Sequence, residues 1–179
     1  MHRPSVVGMC VFLVLGMGQV SGIAGEPTDK TPAVTLQPLP SAEFDELLKS
    51  HRGEVVFVDF RATWCVPCVQ QFPKTVELHR QFGKDGLTVI SISLDEPDSR
   101  DDVLAFLKKH EAGFENRICK EGLDQKAFEA FDIENGALPH YKIYDRTGRL
   151  VKTFNSGDPE NSIKHAEIER TLRETLEAK

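Results

Sequence analysis

The sequence predicts an α/β domain on a central mixed sheet flanked by helices, mostly parallel at first and closed by an antiparallel edge. Three observations predict it. Residues 55–60 are a continuous apolar run rich in β-branched side chains, and a helical pattern follows from 65 to about 82. A second strand-like run at 87–94 is again followed by helical patterns. Residues 141–145 and 149–154 then flank the turn Asp145-Arg146-Thr147-Gly148, which reads as a hairpin.

A chain of 179 residues has room for one ordinary domain with a real core, and no internal repeat argues for an array. Hydrophobic residues at 40% and charged residues at 28% exclude wholesale disorder. Lys+Arg 22 against Asp+Glu 28 leaves a net charge of -6, which repels a phosphate backbone, so no nucleic-acid partner is expected.

At the N-terminus Arg3 precedes an apolar stretch over 6–20, and Ser21-Gly22-Ile23-Ala24-Gly25 follows. Basic, then apolar, then small is the order of a secretory leader. Residues 1–25 are therefore expected to be a signal peptide or, if uncleaved, an N-terminal membrane tether. Cys10 reads as a small hydrophobe within that run. Loss of the leader removes Arg3 and no acidic residue, so the exported part is more acidic. The expected location is extracytoplasmic, periplasmic or secreted, where lasting disulfides are permitted. Pro27, Pro32, Pro38 and Pro40 mark residues 26–40 as an extended linker into a domain over 41–179.

Ser41, Glu43, Asp45 and Glu46, with Phe44, Leu47 and Leu48 on one face, predict a short helix with acid at its positive end, stopped by Gly53. The run at 55–60 reads as a strand covered on both faces, hence central. The next helix carries Val69, Phe72, Val76 and Phe82 inward and is expected to kink at Pro73. After the strand at 87–94, helices are predicted over 99–110 and 123–131. Asp158-Pro159 supplies cap and first position for a last helix with Ile168, Leu172 and Leu176 on one face.

The chemistry concentrates in Trp64-Cys65-Val66-Pro67-Cys68, directly after a buried strand and at the opening of a helix. Two cysteines three apart can close a small disulfide ring. Free backbone N–H groups and the helix dipole stabilise a thiolate on Cys65 relative to a free thiol of pKa about 8.5. Such a thiolate attacks disulfides and also leaves well. Cys65 is then expected to attack a partner disulfide, and Cys68, one turn further in, to resolve the mixed disulfide. Zinc would need a second ligand pair, and the only other cysteine beyond the leader is Cys119, alone. A purely structural disulfide over so short a loop removes little chain entropy. No resident metal and no cofactor are expected.

Asp59 stands within the apolar strand, between Val58 and Phe60. Buried, it would hold a raised pKa and take the proton from Cys68; at strand entry, it would be an ordinary water-bonded aspartate. Leu138-Pro139-His140 precedes a strand, and a proline there points to a tight turn whose neighbours pair with an extended partner segment beside Cys65.

The strand 55–60, Ala62-Thr63-Trp64-Cys65-Val66-Pro67-Cys68, Pro73, the insertion between about 98 and 131, and Leu138-Pro139 before Tyr141-Lys142-Ile143-Tyr144 together resemble the thioredoxin superfamily. The similarity is closest to its exported TlpA/ResA-like thiol-disulfide oxidoreductases. The resemblance implies a thioredoxin fold with a helical insertion before the later hairpin, a cis bond at Pro139, Cys65 as nucleophile and Cys68 as resolving thiol. Asp59 and Pro139 join the catalytic set, and Trp64, Pro67, Leu138 and His140 the substrate-binding surface.

Four positions depart from the pattern. Arg61 replaces an aromatic residue; its charge either stabilises the thiolate or points to solvent. Gln71 stands where some haem-pathway members carry Glu. His140 follows the proline, either touching the thiols or lying at the rim. Cys119 is either a small buried hydrophobe or a second redox thiol.

The expected activity is reduction of disulfides in exported proteins by a Cys65/Cys68 cycle, recharged by an upstream membrane electron donor. Pro67 resembles the reducing members. The alternatives are a disulfide-forming oxidant on the same scaffold and a copper-delivery module using Cys65, Cys68 and His140.

Overall fold

A seven-residue strand, Val55–Arg61 (β2), organises the molecule, and every one of its side chains is buried. Alternation along the strand sends Val55 and Phe57 to one face and Val56, Val58 and Phe60 to the other, so the sheet carries a core on each side. The computed structural model describes residues 1–2, 33–157 and 163–178.

In chain order the elements are β1 (Gln37–Leu39), α1 (Phe44–Ser50), β2, α2 (Val66–Phe82), β3 (Leu87–Ser93), α3 (Arg100–Lys109), β4 (Glu115–Cys119), α4 (Gln125–Ala130), β5 (His140–Tyr144), β6 (Leu150–Asn155) and α5 (His165–Glu177). The sheet order is β1-β4-β3-β2-β5-β6. β1, β4, β3 and β2 run parallel; β5 is antiparallel to β2, and β6 to β5. The mixed sheet with its antiparallel edge is as expected.

The first face packs Phe72 and Val76 of α2, Leu107 of α3 and Ile168 and Leu172 of α5 against the sheet. The second packs Phe44 and Leu47 of α1, Ala127 of α4 and Phe131. Gly86, at φ 97°, makes the sharp turn into β3, a backbone region that costs a side-chain-bearing residue about 1 kcal/mol or more. In the hairpin turn the Asp145 carboxylate accepts from the Thr147 backbone and hydroxyl, which locks the loop that sequence marked.

Several boundaries differ from expectation. Residues 37–39, placed in the linker, form an edge strand because β4 offers an unpaired ladder beside them. The insertion holds strand β4 as well as helices. Its alternation of half-buried Glu115 and Arg117 with buried Asn116 and Ile118 hid the strand in a polar sequence. The last helix begins at His165, not at Asp158-Pro159, which with the rest of 158–162 lies outside the described residues. Helix α2 continues on both sides of Pro73. The leader, apart from residues 1–2, and residues 26–32 of the linker also lie outside the described residues.

Candidate active site

Cys65 is the N-cap of α2, and its sulfur is bonded to that of Cys68, with the Cα atoms 5.2 Å apart. The Cys68 backbone N–H donates to Cys65 Sγ at 3.3 Å, one of the free amides that a helix start offers. Seventeen residues of α2 align their dipoles behind this point, so negative charge on Cys65 is favoured. Cys65 is 6% exposed and Cys68 2%, which leaves the first sulfur the more accessible. Trp64 at 56% exposure and Val66 at 65% place apolar surface beside it, and Pro67 is exposed as well.

The turn before Cys65 is pinned from β3. Asp95, buried just after that strand, accepts from the Thr63 backbone N–H at 3.0 and 3.1 Å, from the Thr63 hydroxyl and from the Ser93 hydroxyl. Nothing in the local pattern singled out Asp95. Its one signal is an acid directly after a buried strand.

Leu138 packs on the cluster of Ala62, Cys65 and Cys68, and the Leu138–Pro139 bond is cis. Pro139 is buried beneath it. The Leu138 carbonyl accepts from the Ser156 hydroxyl at 2.8 Å, so it is already partnered rather than wholly free for an incoming strand.

Asp59 lies on the α2 side of β2 and is fully buried, which overturns the reading of a surface aspartate at strand entry. Oδ2 accepts from Thr75 Oγ1 of α2 at 2.7 Å, and Oδ1 has no partner. Burial pushes its carboxyl up to about 6, while Thr75 and the Arg61 charge pull in the other direction.

Arg61 does not point to solvent. It is buried on the same face as Asp59, where a strand interior covered by α2 and α3 leaves no route to water. Burial lowers it to about 10, still cationic at neutral pH.

His140 is neither a rim residue nor a surface contact. In β5 it pairs with Phe60 and follows that residue's side of the sheet, edge-on to its ring at 5.9 Å. Burial and Lys142 push it down to about 4, so it is neutral. Among the described residues no three His, Cys, Asp or Glu side chains are grouped as a metal site requires, so Cys65, Cys68 and His140 do not form one.

Cys119 is a free, buried thiol that donates to Glu121 at 3.3 Å; burial pushes it up to about 12. It has the environment of an inert cysteine. Gln71 of α2 pairs with His165 of α5.

A disulfide ring on the first turn of a helix that follows a parallel strand, faced by a cis-proline loop leading into an antiparallel one, defines a thioredoxin-fold protein of the dithiol-disulfide type. A family model described as Redoxin matches residues 26–172, and the chain belongs to that family. It is similar to the thiol-disulfide oxidoreductase ResA of Bacillus thuringiensis subsp. konkukian, 30% identical over 105 residues, covering 59% of this chain and 57% of the relative. Against ResA of Geobacillus thermodenitrificans it is 25% identical over 143 residues, covering 76% and 78%. Among solved structures, a thiol:disulfide interchange protein of Chlorobium tepidum superposes with a TM-score of 0.57 at 20% identity, covering 72% of this chain and 83% of that one. That likeness speaks for the fold.

Proposed function

We propose that this protein is a thiol-disulfide oxidoreductase that reduces disulfides of exported proteins. The observation that carries the reading is the Cys65–Cys68 ring at the N-terminus of α2, with Cys65 the less buried of the two and flanked by exposed Trp64 and Val66. In the reduced protein a Cys65 thiolate attacks one sulfur of the partner disulfide. That bond breaks, and the second partner sulfur leaves as a thiolate.

Cys68 then gives its proton to Asp59 and attacks Cys65 Sγ. The partner's remaining sulfur leaves, the Cys65–Cys68 bond forms, and two electrons have passed to the partner. Asp59 is buried, and its raised carboxyl suits a group that takes and returns a proton near neutral pH. Trp64, Val66, Pro67 and Leu138 form the apolar surface on which an extended partner segment lies, with Pro139 setting its approach.

The leader-like N-terminus supports export, cleaved or as a tether, and a membrane dithiol donor completes the cycle. No helix among the described residues is long and apolar enough to cross a membrane.

Insulin disulfide reduction by the protein in the presence of dithiothreitol tests the reading. Wild type is expected to accelerate it, and Cys65→Ser to lose at least about a hundredfold, as removal of a nucleophile does. Equal rates for the two proteins rule the reading out. A reduction potential nearer the strongly oxidising end of the thioredoxin-fold range, about −120 mV, would assign the direction to disulfide formation instead.

A further inference from the structure

Arg61 is a buried cation without a hydrogen-bond partner. It is 1% exposed, and Nε, Nη1 and Nη2 all stand unpaired. The guanidinium is held between two rings, its Cζ 4.7 Å from the centre of Phe72 on α2 and 4.6 Å from that of Phe106 on α3. Stacking offsets only part of the desolvation of a charge whose N–H groups remain unsatisfied. An aromatic or aliphatic side chain would fill the same space without that cost, so the charge itself calls for a role.

Asp59 lies two residues earlier on β2, so the two side chains leave the same face with Cα atoms about 6.6 Å apart. They do not bond each other, since Thr75 takes Asp59 Oδ2 and Oδ1 is unpaired. Opposite charges between buried groups attract far more than on a surface, and the Arg61 charge pulls the Asp59 carboxyl down against its burial.

The other titratable and charged groups facing the pair are Tyr141, paired with Asp59 from β5, Asp95 after β3, and His110 after α3, edge-on to Phe72 and tilted against Phe106. Burial raises the Tyr141 phenol and, together with the Lys109 and Arg61 charges, lowers the His110 imidazole. From α2 comes the Thr75 hydroxyl, and Ser91, the β3 partner of Asp59, is uncharged and bonded to Asn116. Arg61 is thus the cation of this set that shares β2 with Asp59.

We propose that Arg61 is a positioning residue for the resolving step: its clamped charge keeps Asp59 ionised, and so able to accept the Cys68 proton. The inference rests on the disulfide-reducing reading above. Phe72 and Phe106 matter to it because they fix the guanidinium beneath α2 instead of letting it reach water.

Single-turnover release of reduced insulin chains from the reduced protein, followed against pH, tests it. The wild-type rate is expected to climb on a limb near pH 6 set by Asp59. Arg61→Met should move that limb about one pH unit to the alkaline side, which is about tenfold in rate below it. Arg61→Lys should restore the limb. In an Asp59→Asn background the Arg61→Met change should leave the profile where it was.

A limb that stays put in Arg61→Met, or that shifts equally without Asp59, overturns the proposal. If Arg61→Met lacks native circular dichroism, Phe106→Leu, which opens the outer half of the clamp, is read the same way, with an alkaline shift of about half a unit expected. Failure of the underlying reductase reading is separately visible, because Cys65→Ser would then reduce insulin as fast as wild type at every pH.

Discussion

His140 has both ring nitrogens unpaired at 2% exposure, next to the Lys142 ammonium that bonds Asp132 at 2.8 Å. Its folded value of about 4 lies below the ordinary 6.5, so the unfolded chain binds the proton more tightly. The native state therefore keeps its full stability above about pH 6.5 and loses it as pH falls through 4. His140→Leu should relieve that loss, gaining up to about 3 kcal/mol at pH 4 and much less at pH 8, measured by urea unfolding at both. Equal gains at the two pH values would mean that protonation plays no part. Asp59 is the mirror case: burial raises it, so its contribution falls away as pH climbs through about 6. That strained charge is what suits it to move a proton. That Asp59, Arg61 and His140 are polar residues set in or beside apolar strands was legible in sequence. Which way Arg61 and His140 turn was not, because a lone charged or polar residue beside a strand gives no periodicity from which to read its face.

The connection from β2 to α2 shows how an element's end is set by a residue far along the chain. Asp95 receives the Thr63 backbone and hydroxyl and the Ser93 hydroxyl, so the turn that delivers Cys65 to the helix start is tied to the end of β3. Asp95→Ala leaves the two donors of half-buried Thr63 and the buried Ser93 hydroxyl without their acceptor. We expect a loss of about 2 kcal/mol or more in chemical denaturation, together with altered alkylation kinetics of reduced Cys65. Unchanged stability would show that water replaces the carboxylate there. Helix α2 itself was readable, since its buried Phe72, Val76 and Phe82 recur at helical spacing after a strand. β1 and β4 were not, being three and five residues long with exposed or half-buried polar positions among buried ones. Strands this short owe their existence to the neighbour they pair with.

Across the whole molecule, β1 touches the sheet through β4 alone, and β4 belongs to the insertion. The segment before the domain thus closes one edge, with Leu36 and Leu39 buried on opposite cores. Deleting residues 1–40, compared with deleting 1–32, should cost about 3 kcal/mol or more from those two side chains, and should speed amide exchange in β4. Matching stabilities for the two truncations would mean that β1 is dispensable. The local order of residues determined that this chain carries a redox-capable cysteine pair on a helix start, after a central strand and ahead of a hairpin. Spacing and periodicity act over a few residues, and those features need no more. The partner of β4, the burial of Arg61 between rings from two helices, the inward turn of His140 and the anchoring of the active-site turn by Asp95 were decided only in the folded state. Each depends on contacts between segments tens of residues apart, whose energies come from burial and pairing that no short stretch of sequence encodes.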